Sequence, residues 1–563
     1  MITPTLKQIE IRDAVPLNLL VVAPAGCGKT EALALRVQGL IKNKIITSPK
    51  KILVTTFSNR ARDNINERLR RYLPLSVIRE RVSVVNFHGL SARIIRAHSN
   101  VIGLQNDLIL PENDWIGEQL RKRDIPWNEK GPIQEALRVT KQKPLDDQAV
   151  ELELLGLRNT DAVDIERLRK KEKRLTYDDL PRLAELILQN KIVADLYSTH
   201  FGAIIVDEYQ DLTPQQLRIV NLIGYGRTTY AGDLAQGIYG FAGAQPDEVD
   251  QSIRSECSAI IELSESHRSS PAVLEMTNSL IPLTTGTTLT SANPNLWTSG
   301  GLSCVVSHQS VEDEADWIEE WSRKILNKSS SQRIGILTRT ANRRRFVDER
   351  FASANIPYFR WDDGVLDTDT AKLIKSMLSR LDFFSYDKSP DKVEFLRDKV
   401  GFNLITDVDV RKNTSEALDW VQDRLSEGLS ISEIRKRIKV GGSSTLITSS
   451  GVHLLSGHVG KGQQFDWVFV VGVEEDSIPF SFSTTHEEIQ EEARILSVMI
   501  SRARYGVILS RSVSVPTSKG YSKKHPASRF LKYIAAAQPF DENGMVEWFE
   551  NLNWDEVNSI NKG

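Results

Sequence analysis

One octet constrains this chain more than any other feature: Ala23-Pro24-Ala25-Gly26-Cys27-Gly28-Lys29-Thr30. An apolar run, Leu17–Ala23, leads into it, and Leu33, Val37, Leu40 and Ile41 follow at helical spacing. A strand passing through a glycine-bearing loop into a helix aims backbone N–H groups and the positive helix end at one point, which makes an anion site. Ala25, Gly26, Cys27 and Gly28 form the cradle, Lys29 reaches phosphate oxygens, and the Thr30 hydroxyl faces a divalent cation. A glycine turn beside a surface lysine is the bland alternative, and the strand–loop–helix context argues against it. The loop requires a parallel sheet flanked by helices. Alone, it says only that a nucleotide binds.

The rest of the chain repeats that architecture. Val- and Ile-rich runs at Leu17–Ala23, Lys51–Phe57, Val82–Phe87 and Ala203–Asp207 lack a period of two, as expected for strands covered on both faces. A second series occupies Leu302–Ser307, Arg333–Thr338, Thr445–Thr448, Trp467–Val473 and Val507–Ser510. The expected fold is α/β, with two tandem parallel-sheet cores, each interrupted by a mainly helical insertion. The first core takes 1–100 and 175–270 with an insertion at 101–174. The second takes 271–380 and 441–531 with a shorter insertion at 381–440. Residues 532–563 form an acidic tail carrying Trp548, Phe549 and Trp554, read either as a terminal helix or as a docking arm.

Composition excludes several classes. The formal net charge is −2 over 563 residues, so no bulk basicity marks a nucleic-acid partner, although a groove needs only local cations. The Arg343-Arg344-Arg345 and Lys523-Lys524 clusters read first as solvated faces and second as phosphate contacts. Three cysteines without metal-ligand spacing fit a reducing compartment and no zinc site. The N-terminus shows no basic-then-apolar signal sequence, and its longest apolar run, Leu17–Ala25, is far too short to span a bilayer, so the expectation is a cytoplasmic protein.

Ala203-Ile-Ile-Val-Asp207-Glu208 is an apolar strand ending in adjacent carboxylates. A strand end delivers Asp207 to a metal ion and leaves Glu208 to polarise water. Two solvated acids are common after a strand; paired with the upstream loop, they turn the reading from a kinase toward a hydrolase.

Further boxes carry a resemblance. Asp207-Glu-Tyr-Gln-Asp-Leu-Thr213 resembles "DEFQDTN", and Ala231-Gly-Asp-Leu-Ala-Gln-Gly-Ile-Tyr-Gly-Phe-Ala-Gly-Ala244 resembles "VGDDDQSIYGFRGA". Glu262–Ser270 is similar to "LEQNYRST", Val452–Phe465 to "VxLMTLHSAKGLEF", and Glu491–Arg504 to "EERRLLYVAITRAR". Shorter matches lie at Thr56–Asn59, Phe87–Leu90, Leu296–Thr298 and Pro526–Leu531. In this order the boxes identify the chain as a member of the UvrD/Rep family of superfamily-1 DNA helicases.

The resemblance implies two RecA-like cores with ATP and Mg²⁺ between them, and 3′→5′ movement on single-stranded DNA or tailed duplex DNA. Gln8 would read the adenine edge, with Arg36 and His267 sandwiching the base. Gln236 would sense the γ-phosphate, and Arg268 and Arg502 would act as arginine fingers. Gly462 and Gln464 complete the nucleotide contacts, and Thr30 and Asp207 the metal's. Phe57 and Phe241 would stack bases, while Asn59, His88, Ser456 and His458 make polar strand contacts. The chain departs from the pattern at His267 (usually Tyr), Ala242 (Arg), Gln464 (Glu) and Asp233-Leu-Ala235 ("DDD"), and in its small second insertion. Two other readings stand beside the helicase: a DNA-gated ATPase switch serving a partner nuclease, and an RNA-directed motor.

Overall fold

Short apolar runs become strands only where helices can cover both of their faces, and here they assemble into two parallel sheets. A computed structural model describes residues 3–57, 59–104, 108–109, 111, 115–123, 125–240, 243–354, 356, 358–361, 365–366, 368–405, 408–426, 429–440, 447–516 and 521–560. The first sheet comprises β1 (Leu19–Val22), β2 (Lys51–Thr56), β3 (Val82–Asn86), β4 (Phe201–Asp207), β5 (Thr228–Gly232) and β6 (Ala259–Glu262), in the order β3-β2-β4-β5-β1-β6. Register sets Val22 beside Gly232 and Asp207 beside Ala231. The ends of β1, β4 and β5 therefore open on one edge, where ligands bind in parallel sheets. Neither β5 nor β6 was expected: β5 opens on two threonines, and three of the four β6 residues are exposed, so neither reads as an apolar run.

The second sheet contains β7 (Leu302–Ser310), β8 (Arg333–Thr338), β9 (Tyr358–Arg360), β10 (Gly451–Ser456), β11 (Phe465–Val471), β12 (Ala503–Pro516) and β13 (Ser522–Lys524). Its order is β9-β10-β8-β11-β12-β13, with β7 also on β12 and only β13 antiparallel. Of the strand expected at Thr445–Thr448, 445–446 lie outside the described residues and 447–448 are not in a strand; the chain pairs instead through Gly451–Ser456. There Val452, Leu454 and Leu455 are fully buried.

Both insertions are helical, with cores of their own. The first gathers Trp115, Leu120, Ile133, Leu137, Val150 and Leu154. A buried charge network ties it to the first core: Lys141 Nζ lies 2.9 Å from Glu166 and 3.0 Å from Asp179, and Arg182 lies 2.7 Å from Asp179. Burial would raise the Asp179 carboxyl, but Arg169, Lys141 and Arg182 outweigh it and hold it well below the usual range. The second insertion starts earlier than 381. The helix Thr368–Ser379 buries Ala371, Ile374, Met377 and Leu378 with Leu396, Leu418 and Val421, not against the second sheet.

Of the two readings of the tail, the terminal helix is the one found: the helices Glu542–Glu550 and Trp554–Ile560 bury Met545, Phe549 and Val557 on the second core, and the Trp548 and Trp554 rings stand 6.1 and 6.0 Å from Trp467. The arginine cluster is a correction, since it is not a solvated face. Arg343 is buried in ion pairs with Glu314 and Glu474, and Arg344 pairs with Asp348. Among the described residues no helix is long and apolar enough to cross a membrane.

Candidate functional site

The loop after β1 turns through Gly26 and Gly28, at φ of 86° and 80°, a region closed to most side chains. Space is short as well: a Cβ on Gly26 would stand 2.7 Å from Arg268 Cβ, and one on Gly28 2.6 Å from Gln8 Nε2. The helix Lys29–Lys42 begins directly from Gly28, so its first N–H groups face the loop. Cys27 is buried, and burial raises its thiol to about 12, which keeps it neutral. Thr30 sits in the helix's first turn.

Lys29 Nζ bridges Asp207 Oδ1 at 3.0 Å and Glu208 Oε2 at 2.5 Å. Burial would lower the ammonium's pKa, but the two carboxylates outweigh it and raise it. Burial raises the Asp207 carboxyl, whereas Lys29 and then Lys461 pull Glu208 down to about 2 against the same desolvation. Glu208 holds a left-handed backbone, φ 58°, a strain that aims it away from the strand axis. Asp233 is buried and accepts from Gln236 Nε2 at 2.8 Å.

Arginines close the far side. Arg268 reaches the cleft from the segment after β6, and Arg502 from the turn before β12. Arg502 donates to Val498 O at 2.9 Å and Ser501 Oγ at 2.8 Å, but neither arginine has an acidic partner among the described residues. Burial pushes the two guanidiniums down to about 10 and 9, and Arg268 adds repulsion to Arg502. Gln464, in the amide orientation that satisfies it, accepts from Arg268 Nε at 3.2 Å and Nη2 at 2.9 Å, while Arg268 Nη1 is buried without a partner. Two cations side by side, Arg502 buried and Arg268 half-buried with an orphaned N–H, fit a polyanion. Pro24, Ala25, Asp233, Gln236, Val498 and Ser501 line a cavity where the cores meet.

This geometry agrees with what the chain's sequence matches. The family model of the UvrD/REP helicase N-terminal domain covers residues 7–255, and that of the UvrD-like helicase C-terminal domain covers 261–384 and 402–514. The chain belongs to the UvrD/Rep helicase family. ATP-dependent DNA helicase UvrD2 of Mycobacterium tuberculosis is 28% identical over 573 residues, spanning 92% of this chain and 79% of that protein. ATP-dependent DNA helicase PcrA of Staphylococcus aureus is 24% identical over 636 residues, spanning 94% and 86%. DNA helicase II of Haemophilus influenzae is 28% identical over 386 residues, spanning 62% and 50%.

The remaining residues of this UvrD/Rep chain fall into three groups. Gln8 and His267 stand at the loop: Gln8 Nε2 donates to Gly28 O at 3.4 Å, and the exposed His267 donates its backbone N–H to Gly26 O at 3.0 Å. Gly462 turns at φ 85° with open space around it. Arg36 is the correction. It is 1% exposed and spends its guanidinium on Ala14 O, Val15 O, Ile11 O and Thr229 Oγ1, holding the chain between the helix Leu6–Asp13 and β1. With its N–H groups committed inside the core it offers no face to a base.

On the strand side, Phe57 is 45% exposed and stacks on Tyr239 at 5.0 Å and 18°. Tyr239 in turn faces His458 at 6.5 Å. Burial and Arg339 lower His458 to about 4, so its ring is neutral near pH 7. Ser456 Oγ caps the short helix Gly457–Gly460 at Val459 N, and His88 lies 5.6 Å from Tyr177. The Asn59 side chain and Phe241 and Ala242 lie outside the described residues.

Two residues were missed. Lys461 crosses from the second core, donating to both Asp211 oxygens at 2.8 Å and to Gln236 O at 2.8 Å, with its Nζ 4.5 Å from the Tyr239 ring centre. Burial lifts Asp211 to about 6 despite that lysine. Tyr239 was passed over for Phe241 in the same box. Lys461 stood in the open between Gly460 and Gly462, in the box that supplied His458.

Proposed function

We propose that this chain is an ATP-driven motor moving 3′→5′ along single-stranded DNA, with ATP and Mg²⁺ held in the cleft between its two cores. The observation that carries this reading is the convergence of Lys29, Asp207 and Glu208 from the first core on Arg502 from the second. Neither core alone holds both halves of that set. In this reading Lys29 and the loop N–H groups bind phosphate, Glu208 polarises the attacking water, and Arg268 and Arg502 meet the charge that develops on the transferring phosphoryl group. Thr30 and Asp207 would hold Mg²⁺, whose chemistry is to neutralise phosphate charge. Gln236 would report the γ-phosphate to the adjoining 237–244 segment. Gln8, His267, Gly462 and Gln464 would surround the base and ribose.

Phe57 and Tyr239 offer faces to bases, with His458, His88, Ser456 and Asn59 as polar contacts and Phe241 as a further stacking position. ATP binding draws Arg502 toward Lys29, hydrolysis and phosphate release relax it, and repetition moves the strand past the aromatic pair. Polarity follows from the family resemblance.

The decisive experiment uses duplexes with 3′ or 5′ tails, alongside displacement of streptavidin from a biotinylated single strand. Streptavidin displacement and preference for the 3′ tail are expected. Each base-pair step opened costs about 1.4 kcal/mol on average, and the small second insertion offers little to act as a wedge. Unwinding by the chain alone should therefore lag well behind translocation. Strand-stimulated hydrolysis without streptavidin displacement would instead describe a DNA-gated switch, and equal stimulation by RNA would overturn the DNA preference.

A further inference from the structure

The helix His486–Ile500 belongs to the second core, yet it grips the first core at a place the ATP chemistry does not explain. Glu491 Oε1 accepts from the backbone N–H of Gly240 at 3.1 Å. Three residues on, Arg494 makes a bidentate pair with Asp247, at 3.0 and 2.6 Å, on the first turn of the helix Pro246–Glu256. Between these grips Gly243 N donates to Gly240 O at 2.9 Å, and Ala244 N to Tyr239 O at 3.3 Å. Tyr239, whose ring stacks on Phe57, immediately precedes Gly240.

Space agrees with the hydrogen bond. A Cβ on Gly240 would lie 2.5 Å from Glu491 Oε2 and 3.1 Å from its Cδ. The glycine is needed because a side chain from the other core comes within hydrogen-bonding range of its backbone. On the opposite side, Gly243 leaves no room for a Cβ against Arg138 and Gln142 of the first insertion. Gly243 is thus held against the insertion and Gly240 against the second core, and only the second grip depends on cleft closure.

The same polypeptide stretch also carries Arg502. Arg502 lies two residues beyond Ile500, the last residue of that helix, and donates back to Val498 O at 2.9 Å. The stretch therefore carries an arginine at the ATP end and a carboxylate at the strand end.

We propose that Glu491 is a positioning residue that ties cleft closure to grip on the strand: its hydrogen bond to Gly240 N holds Gly240, and hence the ring of the neighbouring Tyr239, in its stacking position. Opening the cleft withdraws Glu491 and frees Gly240 and Tyr239. The proposal rests on the single-strand reading above, and it assigns Glu491 no part in phosphate chemistry.

The test measures ATP turnover by the full chain with and without an oligo-dT strand, for wild type, Glu491→Ala, Glu491→Gln and Gly240→Ala, with thermal melting alongside. Glu491→Ala should leave strand-free turnover and melting unchanged and raise the half-saturating oligo-dT concentration about 10-fold, the effect of losing one charge-assisted hydrogen bond. Glu491→Gln retains a carbonyl acceptor and should stay near wild type. Gly240→Ala should reproduce Glu491→Ala, because its methyl displaces the carboxylate. Wild-type oligo-dT dependence in Glu491→Ala would overturn the proposal. So would parallel losses of strand-free and strand-stimulated turnover, or a Glu491→Gln variant as damaged as Glu491→Ala. A wild-type protein that oligo-dT does not stimulate would sink the single-strand reading itself.

Discussion

Lys29 sits between Asp207 and Glu208, a half-buried cation between two carboxylates of which only Glu208 is pulled down, to about 2. That carboxylate is charged at neutral pH and suited to polarising water, which an amide cannot do. Glu208→Gln should therefore keep nucleotide bound, read by a fluorescent ATP analogue, while turnover falls on the order of 10²–10⁴-fold; normal turnover would remove Glu208 from the mechanism. Arg502 separates function from stability differently. It is buried beside Arg268 without an acidic partner, so Arg502→Met removes an uncompensated charge. The nucleotide-free melting temperature should hold or rise while hydrolysis drops about 10³–10⁵-fold, and a lowered melting temperature with intact turnover would make Arg502 a structural residue. Asp211 adds a pH dependence. Its folded pKa of about 6 lies above the ordinary carboxylate value, so the charged form is the disfavoured one in the fold. As pH falls through about 6, Asp211 takes a proton: the fold loses nothing by this, but the Lys461 pair between the cores is lost. Strand-stimulated turnover should decline across that range in wild type, and the step should be absent in Asp211→Asn, in which the pair is missing at every pH.

At the scale of elements, the helix Lys29–Lys42 shows what periodicity reveals and what it leaves out. Leu33, Val37 and Leu40 are buried as their spacing requires. Arg36 falls three residues after Leu33 and four before Leu40, on that same face. The spacing alone places it inside, whereas the family resemblance implies a base contact. What the pattern could not contain is the partner, since the carbonyls at Ile11, Ala14 and Val15 are presented by a different element. Arg36→Met should strand those buried acceptors and cost about 3 kcal/mol or more of stability, seen as a lower denaturation midpoint. An ATP affinity defect at unchanged stability would restore a direct role in base binding. The missed strands have a related cause: β5 and β6 take their places by register with β1 rather than by apolar content.

Across the whole molecule, the tail illustrates burial that no local signal specifies. Trp548, Phe549 and Trp554 read equally well as an exposed arm or a packed helix, and the decision lay with Trp467 and Trp321, far away in the chain, whose rings accept them. Deleting residues 541–563 should uncover that aromatic cluster and destabilise the second core by about 5 kcal/mol, since Met545, Phe549 and Val557 are all buried. A truncated protein melting like the full chain would return the tail to the role of an arm.

What the sequence determined by itself was contiguous chemistry: a loop whose backbone makes an anion site, a strand ending in two carboxylates, and ordered boxes that identify the family. Each of these depends on residues within a few positions of one another, so short-range geometry is enough. Tertiary structure alone decided where the cores touch. Lys461 meets Asp211 across 250 positions and Glu491 meets Gly240 across 251. Such pairs form only when the two cores are brought together, and a side chain's own neighbours in the chain carry no record of that approach.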